Sequence, residues 1–459
     1  MSQSLTHPQH AKALLVLGLP LIGSHLAQML LHVTDMILLG WYGVTELASV
    51  VMAGSCFFVV FIMGSGFAQA IMPMVAQAMG RGDEVQVRRD TRMGLWLSIM
   101  FGLASYPIFW TSGSWLIAFG QDPQIAQLGQ DFLRIAGFGM VPALVIMALK
   151  SYLAALGRTQ VVLWSTMIAV VINVMVAYSL IFGAWGLPEL GVRGAAIASL
   201  LVQTINAVIL AVYAAVLPAL RPFQLFQRFW RPDWQALNQV FRLGWPIGMT
   251  GLAESGLFQA ATLMMGWIGT VELAAHGIAM QAASLTFMVH LGLASATTVR
   301  TGRFAGAQDA KSMRDGAKVA IAMSLVFGLI TVALFLIFPS QILALFTDAS
   351  KPDAAAIIGF GTHLLVMAAL FQLADAMQAM ALGLLRGIRD TRVPMWAAWI
   401  SYWLIGIPTA YIFAFPMGFG GIGLWAGLVV GLLAAAISMM TRFWMRAPKP
   451  AMAGAIPQV

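Results

Sequence analysis

From Leu14 to the C-terminal region, apolar stretches follow one another separated only by short polar loops. Each is at least as long as the roughly 20 residues that cross the hydrocarbon core of a bilayer. Only 9% of the 459 residues are charged and 60% are apolar, whereas a soluble domain carries roughly 25% charge. A soluble fold is excluded, and no room is left for a soluble domain. The first stretch, ending near Leu39, is too long for a signal-peptide core and is preceded by Lys12 alone, so it is expected to stay as the first helix. The sequence thus predicts an all-α integral membrane protein with twelve transmembrane helices. They are expected at 11–39, 47–73, 93–118, 124–149, 161–183, 194–217, 238–265, 273–298, 317–345, 354–385, 393–415 and 422–445. Cys56 is the single cysteine, which rules out an internal disulfide and any cysteine-based metal cluster.

The net charge of +8 would suit nucleic acid if the basic residues formed a patch. They alternate between loops instead. Of the 25 Lys and Arg residues, all but Arg134, Arg193 and Lys351 fall at the N-terminal end or after the even-numbered spans. Lys150 and Arg158, for example, follow the fourth span, and Arg221, Arg228, Arg231 and Arg242 the sixth. That asymmetry is the positive-inside signature and predicts both termini in the cytoplasm. It points to orientation and argues against a nucleic-acid partner.

The chain repeats itself. A shift of 226 residues superimposes Leu17 to Leu103 on Leu243 to Leu329 without a gap, pairing Gly18 with Gly244, Pro20 with Pro246, Gly66 with Gly292, Gly80 with Gly306 and Arg88 with Arg314. Matched glycines and prolines are backbone constraints, so the repeat is one of fold. Six spans per unit put both units into the membrane from the same side, which makes the repeats parallel, related by a pseudo-two-fold axis along the membrane normal. The organisation expected is an N-terminal six-helix lobe (1–217), a Pro-, Arg- and Trp-bearing cytoplasmic connector (218–237), a C-terminal six-helix lobe (238–446) and a cytoplasmic tail (447–459). Two such lobes enclosing a central cavity and rocking about it are a transporter frame.

Charge within hydrocarbon is expensive, so intramembrane acids are functional candidates. Asp35 lies in span 1, Glu254 in span 7 and Asp375 in span 10. Asp35 pairs with Ala261 in the repeat and Glu254 with Gln28, so the shared fold demands neither carboxylate. Spacings of 3, 4 and 3 place His25, Gln28, His32 and Asp35 on one face of span 1. A carboxylate beside imidazoles in a low dielectric suits proton holding or relay, although for the histidines alone plain hydrogen bonding is the favoured reading. Asn173 in span 5 is a buried amide suited to a helix–helix bond or to the Asp35 network. Phe258 shares a face with Gly251 and Glu254, and Phe371 with Asp375 and Gln378. Aromatics and acids converging on a cavity, with Gln281 also lining it, suit a flat organic cation through cation–π contact and charge. Asp131 is expected to be neutralised by Arg134, three residues on. No enzyme signature is present, and Gly418, Gly420 and Gly423 lack the preceding soluble strand a dinucleotide site requires.

These residues resemble the multidrug and toxic compound extrusion (MATE) family, in its NorM-like branch. The likeness rests on Pro20 to Asp35, on Glu254, on Ala274-Ala275-His276 with Ser284-Leu285 and Phe287-Met288, on Arg300 with Gly302, on Leu385-Arg386-Gly387 with Asp390-Thr391 and Pro394, and on Gly191 to Ala196. It implies a secondary antiporter of the bacterial inner membrane that exports cationic, often aromatic compounds in exchange for H⁺ or Na⁺, without a cofactor. It implies further that Glu254 and Asp375 form a cation site, holding a metal ion only if the coupling ion is Na⁺, and that Asp35 and Asn173 form a second. Gly277, His290, Ala177 and Phe371 depart from the family pattern and remove neutral ligands, which tilts the expectation towards H⁺. The expected partners are small organic cations and membrane lipids, with the protein acting as a monomer. A lipid-linked precursor flippase of the same superfamily would want a basic cavity, and a channel or receptor would need no parallel repeat with different carboxylates in each lobe.

Overall fold

The structure, a computed structural model, describes residues 5–347 and 352–448. Lys351, Lys449 and the tail from 449 onward lie outside the described residues. The described chain is helical nearly throughout: α1 His7–Tyr42, α2 Val44–Arg81, α3 Glu84–Trp110, α4 Ser112–Ala118, α5 Pro123–Ala136, α6 Met140–Ala155, α7 Thr159–Phe182, α8 Gly191–Val216, α9 Trp234–Ile268, α10 Thr270–Gly306, α11 Ala310–Ile337, α12 Pro339–Ala344, α13 Ala354–Gly387, α14 Arg392–Trp399, α15 Ile407–Ala414 and α16 Gly420–Arg446. A 3₁₀ turn, Gly137–Gly139, joins α5 to α6, and a π-helical turn, Ile400–Gly406, joins α14 to α15. These pairs act as single spans, which gives the twelve expected. Eleven are long and apolar enough to cross a membrane. The twelfth, α9, has the length, but Thr250, Glu254, Ser255, Gln259 and Thr262 interrupt its apolar run.

Two expected spans are shorter than their apolar runs. The stretch 93–118 ends as α3 at Trp110 and resumes as α4, and 317–345 breaks between α11 and α12. At the first break Thr111 closes the helix by donating both its backbone N–H and its hydroxyl to the Pro107 carbonyl, at 3.2 and 2.9 Å. At the second, Pro339 opens α12, where its missing N–H is no loss. Each break carries only a short polar run, Thr111 to Ser114 at the first and Ser340-Gln341 after Pro339 at the second, and the apolar residues around it keep the mean hydropathy high. The π turn has a local cause too. Pro408 supplies no N–H to the preceding turn, and the wider π register absorbs the mismatch. Gly406 lies there so close to α16 that a Cβ on Gly431 would stand 2.9 Å from its Cα.

The chain condenses into two compact units. One comprises Leu19–Val75 and Asp83–Gly256; the other comprises the chain up to Gly18, Ala76–Gly82, and the chain from Leu257. In the first, α8 packs on α5, α6 and α7, and the opening of α9 joins Phe67, Met74 and Met93 in an apolar cluster through Ala236, Val240 and Leu243. In the second, α13 packs on α10, α11 and α16. The glycines show the repeat at work inside each unit. In the first, a Cβ on Gly244 would stand 2.7 Å from the Phe67 Cα; in the second, a Cβ on Gly18 would stand 3.3 Å from Leu293. Residues 244 and 18, and 67 and 293, are partners under the 226-residue shift. Likewise Gly80 abuts the Arg303 carbonyl while Gly306 abuts the Gln77 carbonyl. At Gly244, Gly80 and Gly306 the near atom is backbone, and only glycine permits backbones to close this far; at Gly18 it is the Leu293 side chain.

Candidate functional site

In the first unit α1 and α7 are tied by two polar rungs. Asn173, 2% exposed, donates from Nδ2 to Oδ1 of Asp35 at 2.7 Å. Further along, the hydroxyls of Ser24 and Thr166 meet at 3.1 Å, and Nζ of Lys150 reaches Ser24 Oγ at 3.4 Å. On the polar face of α1, His25 and Asp35 are half-buried and Gln28 and His32 exposed. Lys150 is not a loop residue as its charge suggested. It sits inside α6, half-buried, five residues before the helix ends. The expected span stopped at residue 149, while the helix continues through Tyr152-Leu153-Ala154 to Ala155. Asp131 also differs from expectation: its partner is Arg193 on α8, at 2.9 Å. Arg134 turns instead onto Trp110, 4.7 Å above the ring, and donates to its carbonyl. Neighbours in sequence lost to a neighbour in space. Glu254 is half-buried on α9, one turn after Gly251, where a Cβ would press on Ile62 at 2.8 Å.

In the second unit the acidic and aromatic candidates of α13 are deeply buried. Phe371, Asp375 and Gln378 are 2%, 3% and 1% exposed. Phe258 meets Phe371 with ring centroids 5.9 Å apart, and Phe371 meets Trp425 edge-on at 5.4 Å. The indole N–H of Trp425 donates to Nδ1 of His276 at 3.1 Å, and the other ring nitrogen of His276 lies 3.2 Å from the Thr262 hydroxyl. Thus α9, α10, α13 and α16 are laced by one aromatic and polar chain. One turn away, Gln372 donates to the Ala283 carbonyl and the Thr286 hydroxyl, at 2.7 and 2.6 Å. His290 bonds the Ser324 hydroxyl at 3.0 Å. Gln281 is exposed on α10. Neither amide atom of Gln378 has a hydrogen-bond partner among the described residues, an arrangement that costs free energy in a buried site unless something uses it. Trp425, Gln372 and Lys150 were not read from the sequence as site residues. His276 closes the Ala274-Ala275-His276 motif, and its tie to α16 needed the fold.

Among the described residues no three His, Cys, Asp or Glu side chains gather to hold a metal ion. A cation at one of these carboxylates would therefore depend on neutral oxygens around it.

The sequence model of the MatE family matches this chain twice, over residues 20–179 and 246–412. The chain belongs to the MatE family. The two matches begin 226 residues apart, from 20 to 246, which is the shift of the internal repeat. MatE relatives run the length of the chain. A probable multidrug resistance protein NorM of Rhizobium meliloti is 46% identical over 95% of this chain and 94% of its own. That of Agrobacterium fabrum is 46% identical over 95% and 93%. Among solved structures, an outward-facing multidrug resistance MATE family transporter superimposes with a TM-score of 0.87 at 21% identity, over 95% of this chain and 96% of that one. A eukaryotic MATE transporter does so with 0.85, also at 21%, over 96% and 97%. The MatE fold is thus an all-α membrane fold of two six-helix repeats.

Proposed function

We propose that this MatE chain is a secondary antiporter of the bacterial inner membrane, exporting cationic, often aromatic compounds in exchange for H⁺ or Na⁺ by alternating access. The observation that carries the reading is Asp375, a carboxylate 3% exposed within an apolar helix and one turn from both Phe371 and Gln378. A buried acid beside aromatic rings provides charge and a π face for an organic cation, and an unpartnered amide provides orientation. The NorM relatives are named for multidrug resistance, which supports drug-like solutes in general. Asp35 and Asn173 constitute a second ion-responsive site. With the Asn173 amide donating to Asp35 Oδ1, one carboxylate oxygen is already engaged and Asn173 turns a donor to the acid, which leaves fewer oxygens for Na⁺ here. His25, Gln28 and His32 are the proton path to it, Glu254 is a further coupling carboxylate, and Gln281 borders the solute path. Both termini are cytoplasmic and the protein acts as a monomer.

Uptake of a fluorescent aromatic cation into inside-out vesicles tests this, with a pH gradient and a Na⁺ gradient applied separately. Uptake driven by either ion supports antiport, and the pH gradient is expected to suffice. Uptake independent of both gradients, or none in vesicles that hold well-folded protein, overturns it.

A further inference from the structure

At the boundary between the opening of α3 and the segment leading into α9, the first unit holds a cavity of about 380 Å³ lined by Arg89, Arg92, Met93, Arg231, Pro232, Asp233 and Trp234. Three guanidinium groups there face one carboxylate. Asp233 is fully committed: Oδ2 accepts from Arg89 Nε at 2.6 Å, and Oδ1 accepts from the Ala236 N–H at 3.0 Å. Arg92 binds no acid among the described residues. One terminal nitrogen donates to the Arg228 and Arg231 carbonyls, each at 2.8 Å, while its Nε is buried without a partner. The side chain of Arg231 is exposed at the rim. Nearby Asp90 does not line the cavity; it accepts from Gln86 at 2.6 Å.

The shared fold does not require this cluster. Under the 226-residue shift, Arg89 and Arg92 correspond to Asp315 and Lys318, which close on each other at 3.7 Å. Where one half of the chain pairs its charges, the other leaves positive charge in excess. The surroundings specify the partner's nature further. Trp234, 68% exposed, lines the cavity, and Trp230, 73% exposed, directly precedes its Arg231; exposed indoles of this kind gather at a lipid headgroup layer. Guanidinium forks match phosphate oxygens in pairs, and the volume lies at the low end of small-molecule sites.

We infer that this cavity binds the phosphate headgroup of an anionic phospholipid, with Arg92 and Arg231 on the phosphate and Trp230 and Trp234 against its glycerol and upper acyl chains. The site would pin the connector between the repeats to the leaflet. It is an addition to the positive-inside signal, which acts on charge count and needs no cavity.

Full-length protein, purified and stripped of lipid in neutral detergent, should bind dioctanoyl-phosphatidylglycerol roughly tenfold more tightly than dioctanoyl-phosphatidylcholine, as judged by native mass spectrometry or intrinsic Trp fluorescence. Arg231→Gln, whose side chain is exposed and makes no hydrogen bond among the described residues, should remove most of that preference. Arg92→Gln should do the same, and Arg158→Gln, an exposed arginine beyond the cavity, should leave it intact. Inorganic phosphate and glycerol phosphate should bind far more weakly than the lipid. Equal binding of the two lipids overturns the proposal, as does an unchanged preference in Arg231→Gln. Binding of inorganic phosphate as tight as that of the lipid would make this a free-anion site and also overturn it.

Discussion

Arg300 donates from its guanidinium to Nδ1 of His10 at 2.8 Å, tying the first turns of α1 to the end of α10. His10 is 1% exposed and meets Phe304 edge-on at 5.7 Å, with the Arg300 guanidinium 5.2 Å over the same ring. Accepting at Nδ1 makes His10 neutral, with its proton on Nε2. Under the repeat, residues 10 and 300 correspond to Ala236 and Met74, which share an apolar cluster in the other unit. The same joint is polar in one unit and greasy in the other. A guanidinium left without its acceptor in a buried site is costly, about 1.5–3 kcal/mol. His10→Ala should therefore lower the thermal unfolding temperature in detergent, and His10→Gln, which keeps an acceptor, should recover much of it. Identical melting of the two variants would show that the bond contributes nothing.

The intramembrane carboxylates should be needed for export and dispensable for folding. Glu254→Gln and Asp375→Asn should each abolish drug resistance in cells while membrane abundance is kept, because coupled exchange requires a group that solute and ion neutralise in turn. Asp35→Asn should stop transport without preventing drug binding, since Asn173 can still bond an amide there. Wild-type export by any of the three at normal abundance removes that residue from the coupling set.

Topology follows from charge, and two exposed loop positions check it. In a Cys56→Ser background, an impermeant thiol reagent added from the periplasm should label a cysteine at Gly120 and spare one at Ala307. The reverse pattern would invert the molecule.

Outside the membrane the Arg89–Asp233 pair has a defined pH signature. The Arg89 guanidinium, bonded to the carboxylate, holds Asp233 below the usual carboxylate range, with the Ala236 N–H assisting. A depressed acid contributes stability above its unfolded pKa and loses it as pH falls through the lower, folded value. Asp233→Asn should thus reduce melting temperature equally at pH 5 and pH 8, and the gap to wild type should close only below about pH 4. Both side chains are about one-third exposed, so the reduction should be small. A gap that changes between pH 5 and pH 8 would assign the effect to another group.

The sequence made the fold legible where hydropathy and glycine carry it. Gly18, Gly80, Gly244 and Gly306 matched across the repeat, and each proved to sit at a close contact related by that repeat. It also brought together Asp35 with Asn173 and Phe258 with Phe371. The breaks after Trp110 and Ile337 were hidden because the polar runs that mark them, Thr111 to Ser114 and Ser340-Gln341, are short against the apolar stretches around them. Lys150 marks no helix end: it lies within α6, its Nζ 3.4 Å from the Ser24 hydroxyl on α1, a partner the sequence does not announce. Partners distant in sequence, such as Arg193 for Asp131 or Trp425 for His276, leave no local trace.

Gln378 separates a structural role from a functional one. Its side chain is 1% exposed, and neither its oxygen nor its nitrogen is bonded among the described residues. An unsatisfied buried amide destabilises, and replacing it by an apolar group of similar shape is neutral or stabilising. Gln378→Met fills nearly the same volume with a flexible thioether, so the variant should melt at the wild-type temperature or above it. If the amide serves only packing, transport should be unaffected too. If it orients solute beside Asp375, export should fall by roughly tenfold, the loss of one hydrogen bond of about 1.4 kcal/mol, and fall most for substrates that carry polar groups beside their charge. Gln378→Glu adds the discriminating arm, since it retains the shape and an acceptor but places a second carboxylate one turn from Asp375. Measured export of several organic cations, together with melting temperatures, decides the matter. Unchanged export in a stabilised Gln378→Met protein would remove Gln378 from the solute path.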